Sequence, residues 1–353
     1  MSSKPPSWRA AVLRETGHDL VIVEIACPRL RPGQVLVELK YSGVCRSQLM
    51  EVRGLRGPDA WVPHLLGHEG VGTVVDVGAD VTKVSVGDRV IVGWIKGTGI
   101  ESEAPVFHTV DGERINAGRV TTFSEFTVVS ENRVYRQPEG IDDKVAVLFG
   151  CALLTGAGMV LNEARPVAGE SMLINGLGGI GLAALIATRG SGVTVIAADP
   201  DPDKREQALR LGAAYAVDPM GVALQEQVFE AFPSGVDVAI DAAGTAAGTE
   251  AAFDCLRYDG GRLIFASHPP AGDRICLDPH DLIRGKSIRG SWGGASTPDD
   301  DIPRLAETIT GGGISLDFMV PRTYSLDEVN EALGDLEALR AMRPVISIQG
   351  GQQ

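Results

Sequence analysis

Closely spaced cysteines are missing from this 353-residue sequence. Its five cysteines are Cys27, Cys45, Cys151, Cys255 and Cys276, and no two of them have CxxC spacing. This pattern argues against a disulfide framework and against a four-cysteine zinc knuckle. Any metal site must therefore be assembled from residues that are far apart in the sequence.

Basic runs and long apolar stretches are missing as well. The formal net charge is -14 at pH 7 and no local basic run offsets it, so nucleic acid is not an expected partner. The opening segment MSSKPPSWRAAV lacks the apolar stretch of a signal sequence, and no window reaches the roughly eighteen apolar residues of a membrane span. We therefore expect a cytoplasmic protein with no membrane partner.

Two different patterns of apolar and turn-forming residues follow one another along the chain. From Ala10 to about Val147, short β-like runs such as VLVELKYSG and EGVGTVVDVG are broken by glycine, proline and aspartate, which predicts a compact, mostly β domain. After Cys151, six apolar strands alternate with helical segments, which predicts a doubly wound parallel sheet. The fold class is therefore α/β.

Domain boundaries follow from where the pattern changes. We assign residues 1–151 and 293–353 to the mostly β domain and residues 152–292 to the doubly wound domain. The last part includes a helix in SLDEVNEALGDLEAL, where apolar residues recur at helical spacing. Residues 95–120 fit neither pattern, and we expect them to form a surface excursion from the β domain.

The stretch SMLINGLGGIG indicates a dinucleotide site. Gly176, Gly178 and Gly181 have G-x-G-x-x-G spacing directly after a predicted strand and at the start of a predicted helix, where free backbone N–H groups bind phosphates. Asp199 ends the next strand, where a carboxylate accepts from the adenosine ribose and favours NAD over NADP. Lys204 is either a group that closes over the ribose or a solvated lysine. The alternative for the whole motif is a tight turn that binds nothing.

Two thiols and one imidazole have the composition of a catalytic zinc site. Cys45 lies in GVCRS, His68 in LLGHEG and Cys151 in LFGCALLTG. Two cysteines and a histidine leave a fourth coordination position open to polarise an alcohol or carbonyl oxygen. The alternative is that each residue is structural, because buried cysteines behave as small apolar side chains and most single histidines are structural.

The motifs GVCRS, GHEGVGTVVDVG, VGDRV, FGCALLTG and NGLGGIG stand in this order between about residues 10 and 348. Together they resemble the zinc-dependent alcohol dehydrogenases of the medium-chain dehydrogenase/reductase family. The resemblance implies a chaperonin-10-like β domain interrupted by a Rossmann domain, with the active site in the cleft between them. It implies that Cys45, His68 and Cys151 hold one catalytic zinc ion per subunit, with Glu69 beside it as a further or transient ligand.

The resemblance also implies roles for residues that contact substrate and cofactor. Ser47 would take the hydroxyl proton of the alcohol while a hydride passes to the nicotinamide of NAD. Arg46 matches a position that reaches the pyrophosphate, and Arg343 resembles a second phosphate contact, although each has a surface arginine as its alternative. The cofactor-binding candidates are Arg46, Gly176, Gly178, Gly179, Ile180, Gly181, Asp199, Lys204, His268 and Arg343.

The sequence departs from its relatives at several site positions. Residues 95–120 contain none of the four cysteines that bind a structural zinc ion in many relatives, so we expect a single zinc ion. Met50 replaces a histidine that relays the proton to solvent in some relatives, and Gln48 replaces an aspartate that supports the zinc-bound histidine. His64 lies near these motifs, but we expect it to be a solvated or capping histidine that takes no part in the reaction.

Two residues bear on the substrate. Trp94 occupies a position that forms the pocket wall in the family, and Arg56 lies where relatives often have an apolar side chain. An arginine there favours a polyol, a sugar derivative or an anionic substrate over ethanol. The leading hypothesis is an NAD-linked, zinc-dependent dehydrogenase of a secondary or sugar-type alcohol that forms a homodimer or homotetramer. The alternatives are a zinc-free enone or quinone reductase and a non-catalytic nucleotide-binding scaffold.

Overall fold

The structure is a computed structural model that describes residues 4–266 and 268–348. The chain divides into two units, one formed by Met1–Cys151 with Thr297–Gln353 and the other by Ala152–Ser296. The first division coincides with the predicted boundary after residue 151. The return to the first unit begins at Thr297, a few residues after the predicted position 293.

The first unit, described from residue 4 onwards, opens with ten strands and two short helices. The strands are β1 (Ser7–Leu13), β2 (Val21–Ala26), β3 (Gln34–Gly43), β4 (His64–Leu65), β5 (Glu69–Val77), β6 (Arg89–Gly93), β7 (Phe107–His108), β8 (Arg114–Ile115), β9 (Phe126–Ser130) and β10 (Val134–Arg136). The helices are α1 (Arg46–Val52), between β3 and β4, and α2 (Asp143–Ala146), which continues into a 3₁₀ turn over Val147–Gly150. The apolar runs of the sequence thus form strands, as predicted.

In the second unit, the described residues on either side of position 267 form a six-stranded parallel sheet and six helices. The strands are β11 (Ser171–Asn175), β12 (Thr194–Ala198), β13 (Tyr215–Val217), β14 (Val238–Asp241), β15 (Arg262–Phe265) and β16 (Ser287–Gly290). The helices are α3 (Ala152–Gly158), extended by a π-helical segment over Met159–Ala164, α4 (Gly179–Ala187), α5 (Pro202–Arg210), α6 (Leu224–Ala231), α7 (Ala246–Asp254) and α8 (Pro279–Ile283). The strand order is β13-β12-β11-β14-β15-β16, which is the predicted doubly wound arrangement.

The final segment returns to the first unit as α9 (Pro298–Gly311), β17 (Thr323–Ser325), α10 (Val329–Glu337) and β18 (Val345–Ser347). Strand β18 pairs antiparallel with β3, so that Val345 lies opposite Gly43. The resulting sheet has the order β10-β6-β5-β3-β18-β17, and β9 also pairs with β3. This pairing brings the end of the chain next to Cys45, which follows β3 after a single intervening residue.

The segment 95–120 is more than the surface excursion that we expected. Its strands β7 and β8 pair with each other, and Phe107 and Ile115 are buried. These two side chains pack in one apolar cluster with residues that include Trp8 and Ile25. The segment escaped the prediction because two-residue strands leave no detectable alternation in the sequence.

Across the part of the chain that the structure describes, no single helix is long and apolar enough to cross a membrane. The segments Asp143–Gly150 and Ala152–Ala164 pass that test only when taken together, and they are bent by 55° relative to each other. Most of their side chains are buried inside the protein.

Candidate metal and cofactor sites

Three loops of the first unit carry the residues predicted to hold zinc. Cys45 stands at the N-cap of α1, His68 directly precedes β5, and Cys151 follows the 3₁₀ turn that ends at Gly150. Because β3 and β5 are neighbouring antiparallel strands, the end of one lies beside the start of the other, which brings Cys45 close to His68. The fold therefore assembles residues that are far apart in the sequence.

The geometry of this group fits a zinc ion. The two thiol sulfurs and one imidazole nitrogen lie within 4.8 Å of one another. His68 Nε2 is buried and has no hydrogen-bond partner, so it is available as a ligand atom. Two sulfurs and one nitrogen are a donor set that zinc prefers, with a fourth position left for substrate. Cys45, His68 and Cys151 are thus brought together as predicted.

The neighbours of His68 also follow the prediction. The side-chain amide of Gln48 contacts His68 Nδ1, which is the position where relatives carry an aspartate. The amide oxygen of Gln48 accepts a hydrogen bond from the backbone N–H of Cys45 at 3.0 Å. Support for the histidine is therefore neutral, and the same amide also holds the start of α1.

The two thiols influence each other strongly. A hydrogen bond from Cys151, helped by the positive charge of Arg343, holds the pKa of the Cys45 thiol well below its usual value. The same hydrogen bond and burial raise the pKa of Cys151. One thiol of the pair therefore gives up its proton readily, which suits a site whose ligands must be thiolates.

Glu69 and Arg343 form a buried ion pair next to the thiols. Glu69 is fully buried and Arg343 is 7% exposed, and a guanidinium nitrogen of Arg343 donates to a carboxylate oxygen of Glu69. Burial raises the pKa of Glu69, and Arg343 opposes this rise. Arg343 Nε is buried without a partner, so the guanidinium retains an unused donor. Its predicted contact with a cofactor phosphate stays a prediction.

Three other predicted residues also lie in the first unit. The hydroxyl oxygen of Ser47 is buried and makes no hydrogen bond. The ring of Trp94 meets the ring of His68 edge to face, with centroids 6.5 Å apart, so Trp94 lies beside the metal ligands. Arg56 is exposed, and its Nη1 lies 3.6 Å from the carboxylate of Glu51.

His64 is not solvated, contrary to our expectation, whereas its absence from the reaction stays a prediction. His64 is 6% exposed, and its Nδ1 lies 2.9 Å from the carbonyl oxygen of Leu65. Its Nε2 lies 2.9 Å from a carboxylate oxygen of Asp59 and 4.0 Å from Glu51. A two-residue strand, β4, draws the histidine into the interior, and the carboxylates satisfy its ring. Sequence reasoning missed Glu51 and Asp59 altogether.

The glycine motif of the second unit has the geometry of a phosphate-binding turn. Strand β11 leads through Gly176, at φ 91°, to Gly178, the N-cap of α4. A Cβ at Gly181 would overlap the carbonyl oxygen of Gly176, and a Cβ at Gly176 would lie 2.7 Å from the Ala243 nitrogen. A Cβ at Gly178 would meet nothing within 4 Å, so open space lies before the free N–H groups of the helix.

Asp199 is hydrogen-bonded to this turn. One carboxylate oxygen accepts from the backbone N–H of Leu177 at 2.7 Å and the other from Asp201 at 2.9 Å. Lys204 Nζ lies 3.8 Å from the same carboxylate. Asp199 is only 5% exposed, and it directly follows β12, one residue beyond the strand that we predicted it to end. An acidic side chain beside a glycine-rich helix N-terminus is the arrangement that fits the ribose and pyrophosphate of NAD.

Of the remaining cofactor candidates, Arg46 and His268 are exposed, and Gly179 and Ile180 are half-buried. Arg46 is the first residue of α1, and Gly179 and Ile180 open α4. The His268 ring meets that of Trp292 edge to face, with centroids 6.5 Å apart. Their roles toward NAD stay predictions.

Comparison with known proteins identifies both parts of the chain. Residues 31–139 match the family model of the alcohol dehydrogenase GroES-like domain, and residues 179–310 match that of the zinc-binding dehydrogenases. This result confirms the predicted chaperonin-10-like and Rossmann domains.

Complete proteins match over nearly their whole length. S-(hydroxymethyl)glutathione dehydrogenase of Synechocystis is 31% identical, over 96% of this chain and 99% of that protein. An alcohol dehydrogenase zinc-binding domain protein from Burkholderia ambifaria has a similar structure, with a TM-score of 0.89 and 25% identity over 97% of this chain and 99% of that one. The 2R,3R-butanediol dehydrogenase of Bacillus subtilis has a TM-score of 0.76 and 25% identity, over 97% of this chain and 100% of that one. The chain therefore belongs to the zinc-dependent alcohol dehydrogenases of the medium-chain dehydrogenase/reductase family, and it is an NAD-linked alcohol oxidoreductase.

Proposed function

We propose that the protein oxidises a secondary alcohol of the sugar or polyol type to its carbonyl compound, and reduces the carbonyl in the reverse direction. The observation that carries this proposal is the charge near the metal ligands. The carboxylate of Glu51 interacts electrostatically with His68, and also with Arg56 and His64. A substrate with several hydroxyl groups can hydrogen-bond to such charged side chains, whereas a simple alkyl alcohol offers them no further hydrogen bond.

The residues of the chain divide the reaction between them. Zinc held by Cys45, His68 and Cys151 supplies Lewis acidity, which makes a substrate hydroxyl easier to ionise. Ser47 holds the hydroxyl proton, because its oxygen is buried and has no other partner. The hydride from the carbon would pass to the nicotinamide of bound NAD. The glycine turn at the start of α4 and Asp199 would hold its pyrophosphate and ribose.

The relatives support this substrate class without deciding it. One of them is named for a diol with neighbouring secondary hydroxyls, 2R,3R-butanediol. Another is named for S-(hydroxymethyl)glutathione, a much larger substrate. The donor set of Cys45, His68 and Cys151 argues against the zinc-free reductase and against the non-catalytic scaffold, since either would leave this group without a use.

The decisive experiment is an assay of NAD reduction with a panel of alcohols at equal concentration. The panel contains polyols, reduced sugars, 2,3-butanediol, ethanol and benzyl alcohol. We expect kcat/KM to be highest for a compound with neighbouring secondary hydroxyls. Highest efficiency with ethanol or benzyl alcohol would contradict the substrate class but not the alcohol dehydrogenase activity.

We further propose that the protein is a cytoplasmic homodimer or homotetramer. Ile283 and Trp292 are large apolar side chains that are 78% and 74% exposed, close in sequence to the edge strand β16. Burial in a subunit interface would remove this apolar surface from water. Sedimentation equilibrium of the purified protein tests the proposal, and a single species of 37.2 kDa would contradict it.

A further inference from the structure

The group that receives the proton from Ser47 has not yet been identified in this chain. Alcohol oxidation releases one proton for each hydride transferred, so this question rests on the proposed function. The hydroxyl of Ser47 has no acceptor among the described residues, and Met50 is a buried apolar side chain that cannot carry a proton. A titratable group must therefore be sought elsewhere near Ser47.

Helical spacing places one such group beside Ser47. Glu51 follows Ser47 by four residues within α1, so the two side chains share one face of the helix with their Cβ atoms about 5–6 Å apart. A carboxylate at that distance can reach the hydroxyl directly or through one water molecule. The Glu51 side chain is 27% exposed, so its carboxylate connects the interior with solvent.

The groups around Glu51 form a chain of proton donors and acceptors. Facing it are Arg56, Asp59, His64 and His68. His64 Nδ1 must carry a hydrogen, because the Leu65 carbonyl oxygen only accepts. Its Nε2 lies 2.9 Å from a carboxylate oxygen of Asp59. The side chain of Asp59 is 13% exposed, and the pair has a route to water.

We propose that Glu51 is the base that receives the proton of the alcohol through Ser47. In the oxidation step the C–H bond breaks and its electron pair leaves with the hydride to NAD⁺. The hydroxyl proton moves to Ser47 Oγ as the proton of Ser47 moves to the Glu51 carboxylate, directly or through one water molecule. Glu51 then releases its proton to solvent, and in the reduction direction the same steps run backwards.

The electrostatics of Glu51 agree with this role. Burial raises the pKa of Glu51, and the positive charges of His64 and Arg56 limit the rise. A carboxylate with a raised pKa binds a proton better than an exposed one. Oxidation needs the ionised carboxylate, so the rate should fall at low pH as Glu51 becomes protonated.

The test compares Glu51→Gln with the parent enzyme, and Glu226→Gln, an exposed glutamate of α6, is the matched control. We expect Glu51→Gln to lower kcat for oxidation about 100-fold or more and to remove the inflection on the acidic side of the pH profile. Zinc content and NADH affinity should stay at the parent values. Glu226→Gln should behave like the parent.

Two further measurements separate a base from a structural residue. In Glu51→Ala, added formate should restore part of the rate in proportion to its concentration. In protein with ¹³C-labelled glutamate, the carboxyl signal missing from Glu51→Gln should titrate above the usual glutamate pKa of about 4.3. This second readout does not depend on activity.

The outcomes distinguish this proposal from the proposed function. An active parent enzyme whose rate and pH profile survive in Glu51→Gln would overturn the role of Glu51 alone. Loss of a bound metal ion in Glu51→Gln would also overturn it, because Glu51, Asp59 and His64 would then be metal ligands. Failure of the parent enzyme to reduce NAD with any alcohol of the panel would contradict the proposed function itself.

Discussion

At the scale of the residue, Gln48 presents a hydrogen-bond donor to His68 where a zinc-bound histidine needs an acceptor. Zinc binding through His68 Nε2 requires a hydrogen on Nδ1, which then needs an acceptor. Gln48 has one acceptor oxygen, and the backbone N–H of Cys45 already uses it. The amide nitrogen that faces His68 is a donor. Neutral glutamine therefore supports the zinc-bound histidine less well than a carboxylate would.

This conflict predicts the effect of Gln48→Glu. Two carboxylate oxygens can accept from Cys45 and from His68 at once, so the variant should bind zinc more tightly, by about 10-fold to 100-fold. Competition with a zinc-binding dye measures the affinity. Gln207→Glu, in α5 of the other unit, adds the same charge away from the site and should not change it. Weaker zinc binding in Gln48→Glu would contradict the argument.

Asp199 has two tasks that one substitution can separate. Its carboxylate is expected to accept from the ribose of NAD, and in the structure it accepts from the N–H of Leu177 in the glycine turn. Asp199→Asn keeps an acceptor for Leu177 but removes the negative charge that repels a 2′-phosphate. The ratio of the Kd values for NADPH and NADH should therefore fall.

Fluorescence titration with NADH and NADPH measures this ratio. Asp203→Asn, an exposed position in the first turn of α5, is the control and should leave the ratio unchanged. Equal affinity of the parent protein for both cofactors would mean that Asp199 does not select between them.

Individual site residues differed in how far they could be predicted. Cys45, His68 and Cys151 were predictable because their residue types and motifs are specific for zinc. Glu51 was not, because a glutamate within a short helix normally lies on the solvated face. Its environment depends on His64, which only the pairing of β1 with β4 brings into the interior. Tertiary contacts of this kind leave no periodic signal in the sequence.

At the scale of the element, glycines let strands and turns approach each other around Glu69. A Cβ at Gly150 would lie 2.6 Å from the Glu69 Cβ and 2.7 Å from the carbonyl oxygen of Val92. The second contact is with backbone, which cannot turn aside. Strand β5 and the turn before Cys151 therefore depend on a glycine at this position.

Gly150→Ala should consequently destabilise the protein by about 1–3 kcal/mol, the usual effect of overpacking. The turn must move to make room, and Cys151 moves with it, so the zinc content should also fall. Denaturant unfolding and metal analysis measure the two effects. Gly118→Ala is the control, because a Cβ there would meet nothing closer than 3.7 Å. Full zinc content in Gly150→Ala would show that the turn can adjust.

Elements in the two units were predictable to different degrees. All six strands of the doubly wound sheet were predicted, and the buried ones, such as β11 and β14, are nearly continuous apolar runs. Strands β7 and β8 were not, because each has only two residues. The pairing of β18 with β3 joins residues about 300 positions apart, and no local pattern encodes such a contact.

At the scale of the whole molecule, zinc would join three distant parts of the first unit. Cys45 and His68 are 23 residues apart in the sequence, and His68 and Cys151 are 83 residues apart. A zinc ion bound to all three would close two loops of the chain. An ion that binds only the folded state stabilises it by RT ln(1 + [L]/Kd), about 4 kcal/mol when free zinc is 1,000 times the Kd. Removing zinc should therefore lower the Tm of the enzyme.

Metal analysis and thermal unfolding with and without a chelator test this prediction. We expect one zinc ion per chain in the parent, none in Cys151→Ala, and one in Cys276→Ala, whose thiol is exposed in the other unit. The chelator should lower the Tm of the parent and of Cys276→Ala, but it should leave that of Cys151→Ala unchanged because no zinc remains to be removed. Two tightly bound ions in the parent, or unchanged zinc content in Cys151→Ala, would contradict a single site formed by these three ligands.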